Sequence, residues 1–198
     1  MTHHHPFLAP KLYHAFAALC LFMACNQATA QTPPKLALCT SCHGAQGVSQ
    51  NPAFPSLAGQ PKVFVENQLV LIREGLRDIP AMKGMLDGMK DPELTALAVY
   101  FSKQTPPPRA SGPVDAARYQ RGQTLAGQAL CGSCHLPSYS GRDQVPRLAH
   151  QQEQFLVDAM KSFRDHPGPG RDTIMSDALI GLKDAQLTDL AHYFAHLK

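Results

Sequence analysis

The chain has 198 residues, of which 44% are hydrophobic and 17% are charged, and it contains no tryptophan. This composition is typical of one or two small globular domains and excludes a disordered or fibrous protein. A net charge of only +3 argues against a nucleic-acid-binding protein, because such proteins depend on many phosphate contacts. No apolar run approaches the roughly 20 residues that a membrane-spanning helix needs.

The N-terminal segment has the pattern of a secretory signal peptide. Lys11 and several histidines precede an apolar stretch over residues 15–25, and the small-x-small sequence Ala-Thr-Ala ends at Ala30. We therefore predict a signal peptide over residues 1–30 and export to the periplasm. The alternative is a lipid anchor at Cys25, which we favour less because Phe22 stands where such motifs usually carry leucine.

The remaining chain is predicted to consist of helices and loops. Apolar residues at helical spacing predict a helix over residues 63–75. A second helix is predicted to begin at Asp91, which caps it, with Pro92 in its first turn. Further helices are predicted over residues 115–130, after Gln151 and over residues 184–197, where two histidines one turn apart are expected on a solvated face. No alternating strand pattern of useful length occurs, so the predicted class is all-α.

The region after the signal peptide is an internal repeat. The segment Cys-Thr-Ser-Cys-His at 39–43 recurs as Cys-Gly-Ser-Cys-His at 131–135, and Leu-Ala-Gly-Gln60 recurs as Leu-Ala-His-Gln151. Such constant spacing implies one fold used twice. Three consecutive prolines at 106–108 favour an extended connector between the copies. We predict a first domain over 31–104, a proline-rich linker over 105–113 and a second domain over 114–198.

Each copy carries a Cys-x-x-Cys-His segment, which suits covalent attachment of c-type haem. The two thiols add to the haem vinyl groups, and the adjacent histidine reaches the iron. A zinc site would need its two cysteine pairs much closer in sequence, and a thioredoxin-like pair would need a βαβ context. A disulfide between cysteines three apart closes too small a loop to stabilise the fold much. The predicted cofactors are two haem c groups, held by Cys39, Cys42, Cys131 and Cys134, with His43 and His135 on the irons.

A haem iron with one axial histidine needs a sixth ligand or an open site, and methionine is the usual partner in electron-carrying cytochromes. Met82 and Met175 occupy equivalent places in the two copies, and we predict them as the ligands. Met85, Met89 and Met160 have no methionine counterpart and are interpreted as packing residues.

Two prolines are candidates for orienting the histidines, whose free ring N–H usually donates to a carbonyl or carboxylate. Pro55 and Pro146 follow the histidines by 12 and 11 residues. Spacing alone leaves open whether they have this role or are ordinary turn prolines.

The order of these motifs resembles the tandem dihaem cytochromes c of the c4 type over essentially the whole chain after residue 30. The resemblance implies two cytochrome c domains related by a pseudo-twofold axis, with His43 and Met82 on one iron and His135 and Met175 on the other. It also implies that Pro55 and Pro146 hold the histidines through their carbonyls. Members of this family carry electrons in the periplasm towards terminal oxidases or other reductases, often in loose association with the membrane.

One departure from the family pattern concerns the start of the first copy. Only residues 33–38 precede its motif, whereas the second copy has the predicted helix over 115–130. We therefore expect the first domain to be the less stable half. Because some dihaem subunits of flavin-linked dehydrogenases also start abruptly, an electron-accepting enzyme subunit remains the alternative function. A haem peroxidase would need an open iron position, which the two methionines argue against.

Overall fold

The computed structural model describes residues 1–3 and 32–198. The predicted signal peptide and Cys25 lie almost wholly outside the described residues. Residues 33–198 form one compact unit, to which the description below refers. None of the helices in the described segments is both long and apolar enough to cross a bilayer.

The compact unit is all-α, as predicted. Its β structure, within residues 32–198, is a single isolated bridge between Arg142 and Val145. Two 3₁₀ turns lie at Ala45–Gly47 and Pro80–Met82. The α-helices of residues 32–198 are α1 (Leu36–His43), α2 (Lys62–Arg73), α3 (Asp91–Ser102), α4 (Ala116–Gln128), α5 (Cys131–His135), α6 (Glu153–Asp165), α7 (Thr173–Leu179) and α8 (Asp184–Ala195).

The ends of the helices follow local chemistry. Asp115, which was predicted to be the first residue of this helix, instead caps α4 by accepting a hydrogen bond from the Arg118 N–H at 2.9 Å. The predicted cap of α3 was wrong by one residue: Asp91 is already helical, and Lys90 is the cap. There the carboxylate of Glu93 accepts the Lys90 N–H at 2.7 Å, which satisfies one of the free backbone donors of the first turn.

Each copy of the repeat has its own hydrophobic core. In the first half, residues 33–104, α2 and α3 pack around Leu94, Leu97 and Phe101, and Met89 joins this core. In the second half, residues 114–198, α6 and α8 pack around a larger cluster that includes Met160. Met89 and Met160 are therefore packing residues, as predicted. Met85 is 37% exposed, so its interpretation as a packing residue was wrong.

Within residues 33–198, the second half has one packing layer more than the first. Helix α4 crosses α8 at Gly122, where an added Cβ would lie 2.1 Å from the backbone oxygen of Asp189. The buried Asp189 also receives two hydrogen bonds from Arg121, at 2.7 and 2.9 Å. Because α4 covers α8, His192 and His196 are buried, which contradicts the expectation of a solvated face.

Candidate functional site

Both Cys-x-x-Cys-His segments lie on short helices that end at the histidine. A left-handed residue precedes each helix, Lys35 in the first half and Leu130 in the second. A residue of positive φ follows each histidine, Gly44 at 80° and Leu136 at 68°. None of the four cysteines of the segments forms a disulfide within the described residues, and in each pair the first is half-buried and the second exposed. The two motifs therefore have matching backbone conformations.

The histidine of each motif is held by a proline carbonyl. The Nδ1 of His43 lies 2.9 Å from the oxygen of Pro55, and the Nδ1 of His135 lies 2.8 Å from that of Pro146. A carbonyl can only accept a hydrogen bond, so Nδ1 must carry the proton. Burial lowers the pKa of both histidines, which favours the neutral ring. The Nε2 lone pair is then available, which is the form in which imidazole binds a metal.

The two methionines predicted as iron ligands both lie in short helical segments, Met82 at the end of a 3₁₀ turn and Met175 near the start of α7. Met82 closes the 3₁₀ turn, with its N–H donating to the oxygen of Ile79 at 2.8 Å. Met175 lies in the first turn of α7, with its N–H donating to the carboxylate of Asp172 at 3.0 Å. Both side chains are half-buried. Their role as ligands stays a prediction.

Two cationic groups test whether the residues fit a haem, whose propionates are anionic. The Nε of Arg147 is buried and has no hydrogen-bond partner among the described residues. Arg77 has no carboxylate within 4 Å in the segments described; burial, and then the charge of Arg171, lowers its pKa to about 10. Since a guanidinium remains charged in proteins, these groups call for an anion. With four cysteines outside any disulfide and two neutral histidines, the donor set fits haem c.

Three comparisons with known proteins each find similarity to cytochromes c. The Cytochrome c family model matches residues 119–198. Cytochrome c4 of Azotobacter vinelandii is 32% identical, over 82% of this chain and 86% of that protein. The crystal structure of reduced recombinant cytochrome c4 from Pseudomonas stutzeri superposes with a TM-score of 0.75, at 31% identity, covering 83% of this chain and 95% of that one.

The chain belongs to the cytochrome c4 family. It is a dihaem c-type cytochrome that carries electrons, and its two haem c groups are covalently bound. A further relative, named thiosulfate dehydrogenase electron acceptor, from Thiomonas intermedia, is 31% identical over 88% of this chain and 85% of that protein.

In this cytochrome c4, two arginines at matching positions of the repeat have the same role. Arg73 pairs with Asp91 at 2.7 Å, and Arg164 pairs with Asp184 at 2.8 Å, so each ties a helix to the start of the last helix of its half. Arg77 and Arg147 have no carboxylate partner among the described residues, as is also true of Arg109, Arg142 and Arg171. They differ from those three in the buried Nε of Arg147 and in the burial that lowers the pKa of Arg77. Sequence reasoning missed both, because only the folded chain shows which guanidinium groups are already paired.

Two side-chain amides make reciprocal hydrogen bonds between the halves of the cytochrome. Gln60 binds the backbone of Arg147, and Gln151 binds the backbone of Ser56. The repeat placed these glutamines at equivalent positions, and their reciprocal contacts are those expected of a pseudo-twofold arrangement. Their role was not predicted from the sequence, since the partner backbone lies 87 or 95 residues away.

Proposed function

We propose that this cytochrome is a freestanding periplasmic carrier that passes single electrons between redox proteins and performs no catalysis itself. Haem c supplies a one-electron iron couple when it is bound. The observation that carries the proposal is the histidine–proline hydrogen bond, which recurs in both halves and leaves one imidazole nitrogen free beside each pair of thiols.

The ligand set follows from the residues described above. His43 and Met82 would bind the iron in the first half, and His135 and Met175 in the second. Pro55 and Pro146 would orient the histidines through their carbonyls. Thioether bonds would form at Cys39, Cys42, Cys131 and Cys134. With both a histidine and a methionine bound to the iron, no position would remain for a substrate, which supports a carrier rather than an enzyme.

We divide the exported chain as the repeat suggests. Residues 1–30 would be removed as a signal peptide, residues 31–104 and 114–198 would be the two cytochrome domains, and residues 105–113 would link them. The electron donor would be a quinol-oxidising complex or a dehydrogenase, and the acceptor a terminal oxidase or another reductase.

The second candidate function is that of an electron-accepting dehydrogenase subunit, and the relative named thiosulfate dehydrogenase electron acceptor favours it. Permanent subunits have larger and more apolar interfaces than transient redox partners. A protein that purifies as a soluble monomer would support the carrier. Co-purification of a stoichiometric dehydrogenase would support the alternative.

The test of the ligands is spectroscopic. The full chain, produced with haem-maturation machinery, is expected to hold two haems, both low-spin with methionine-to-iron charge-transfer absorption. Met82→Ala and Met175→Ala should each remove half of that absorption. Met85→Ala is the matched control, because this exposed methionine lies in the same loop as Met82. A loss of absorption in the Met85 variant instead would reassign the first ligand.

A further inference from the structure

Two equivalent glutamines exchange hydrogen bonds between the halves. The Oε1 of Gln151 accepts the Ser56 N–H at 2.7 Å, and its Nε2 donates to the Ser56 oxygen at 2.9 Å. In the opposite direction, the Oε1 of Gln60 accepts the Arg147 N–H at 2.9 Å, and its Nε2 donates to the Arg147 oxygen at 3.1 Å. Both glutamines are 4% exposed, so these bonds lie in a nearly dry environment.

The peptide group that each glutamine contacts is the one that holds a proximal histidine. The Ser56 N–H and the Pro55 carbonyl are the two ends of one peptide bond. Its N–H donates to Gln151, and its oxygen accepts the Nδ1–H of His43. A continuous chain of hydrogen bonds therefore runs from an amide of the second half to a histidine of the first.

The same chain runs in the other direction through the peptide bond between Pro146 and Arg147. The Arg147 N–H donates to Gln60, and the Pro146 oxygen accepts the Nδ1–H of His135. Side chains Ser56 and Arg147 differ in size and charge, but the glutamines bind only their backbone. This explains how the reciprocal arrangement tolerates the difference in sequence.

Hydrogen bonds in series polarise one another, most strongly where water is absent. An acceptor placed on a peptide N–H shifts electron density towards the carbonyl oxygen of the same group. The carbonyl then accepts the histidine proton more strongly, which makes the imidazole a more basic ligand. A more basic axial ligand favours the oxidised iron and so lowers the reduction potential.

We propose that Gln151 and Gln60 are positioning residues that act across the interface, each lowering the reduction potential of the haem in the opposite half. The inference rests on the proposed function, since it takes His43 and His135 as iron ligands. It deepens that function, because the potential of each haem then depends on the intact contact between the halves.

The experiment is a potentiometric titration of the full-length dihaem protein, followed by NMR. Amide signals of residues 44–60 report the first haem, and those of residues 136–151 report the second. Gln151→Leu is expected to raise the midpoint of the first haem and leave the second unchanged, and Gln60→Leu to do the converse. Gln151→Asn, whose shorter amide cannot reach the Ser56 N–H, is a second variant that keeps a polar group if the leucine variant does not fold.

The matched control is Gln152→Leu. The Nε2 of Gln152 donates to the Ser49 oxygen at 2.6 Å, so it also joins the halves, but it contacts neither proline-linked peptide bond. This variant should loosen the interface without a crosswise shift. The proposal is overturned by equal shifts at both haems, by a shift in the mutated half, by unmoved midpoints, or by the same pattern in the control.

The outcomes also separate this proposal from the proposed function. A protein with two His/Met haems and unmoved midpoints rejects only the glutamine relay. A protein that lacks the two low-spin haems rejects the ligand set first.

Discussion

The two halves build the same motif and the same proximal hydrogen bond but enclose them differently. In the second half, α4 lies across α8, and α8 buries every residue from 189 to 195. In the first half, the equivalent helix α3 buries only the side that faces its core, at Leu94, Leu97, Ala98 and Phe101. Within residues 33–198, the first half has no counterpart of α4, and its last helix lacks the packing partner that α8 has.

The first half has two smaller stabilising contacts, whereas the second half has helix α4. Lys35 donates to the backbone oxygens of Met85 and Asp87, both at 3.0 Å, and so ties the start of α1 to the loop after Met82. Pro106 of the linker packs against Gly59. These contacts bury less apolar area than a helix does, and we expect the first half to open locally at lower free energy.

The largest expected effect comes from breaking the extra layer of the second half. Gly122→Ala would place a Cβ 2.1 Å from the backbone oxygen of Asp189, which forces α4 away from α8. Overpacking against backbone costs about 3 kcal/mol. Hydrogen exchange of the α8 amides in the full dihaem chain should show that loss. The protection of α8 should then fall close to that of α3 in the first half.

Gly127→Ala is the control in the same helix. No described atom lies within 4 Å of its added Cβ, and alanine is favoured over glycine in helices by up to about 1 kcal/mol. This variant should leave α8 unchanged or slightly more protected. Equal effects of the two substitutions would show that the protection of α8 does not depend on the close crossing of α4 and α8 at Gly122.

The next effect concerns the linker contact of the first half. Gly59 has a φ of +67°, and an added Cβ would lie 2.5 Å from the Cγ of Pro106. Gly59→Ala should therefore cost about 2 kcal/mol in the free energy of local unfolding, from backbone strain and displacement of the linker. Hydrogen exchange of the α3 amides measures this change in the free energy of local unfolding.

The control for this variant lies at the matched position of the second half. His150 already has a side chain at a φ of 63°, so His150→Ala adds no Cβ there. It removes only the 3.1 Å contact between the His150 Nε2 and the Leu197 oxygen, in the second half, and should leave α3 exchange unchanged. Unchanged α3 exchange in Gly59→Ala would show that the contact between Pro106 and Gly59 does not stabilise the first half.

The site and the fold differ in how far the sequence predicts them. The Cys-x-x-Cys-His segments and the helices are local patterns, so their positions follow from spacing and capping. The burial of His192 and His196 was not predictable, because it is produced by α4 crossing α8 rather than by the helix itself. The glutamine contacts were missed for the same reason: each joins residues of different halves, and a repeat shows that positions match without showing what they touch.

A smaller effect is expected from relieving strain in the second half. Leu136 holds the conformation that Gly44 holds after the first motif, with φ 68° and ψ 156°, a region that favours glycine. Leu136→Gly should stabilise the second half by about 1 kcal/mol, since the strain relieved exceeds the entropy lost. Urea unfolding of the parent and the variant would measure the gain. Destabilisation would mean that the leucine side chain packs well enough to offset its backbone.

The smallest expected effect is a dependence on pH at helix α8 that helix α3 has no histidine to match. His196 is 6% exposed, and its Nε2 lies 3.6 Å from the carboxylate of Glu153. Burial, with the charges of His192 and Arg109, lowers the pKa of His196 below its ordinary value of 6.5, and Glu153 only partly opposes this. Helix α3 of the first half contains no histidine.

The sign of the effect follows from proton linkage. Because the pKa of His196 is lower in the folded chain than in the unfolded one, the unfolded chain binds more protons as the pH falls below 6.5. The second half should therefore be fully stable above that pH and lose stability below it. Glu153 also pairs with Arg118 at 3.5 Å, through the carboxylate oxygen that does not contact His192 and His196. Comparing α8 protection in the parent and in His196→Gln between pH 5.5 and 7.5 isolates the contribution of this histidine: the parent should lose protection at low pH and the variant should lose less. An equal loss of α8 protection in the parent and in His196→Gln would assign the pH dependence to other groups. A similar loss of protection in α3 at low pH would show that the two halves do not differ in this respect.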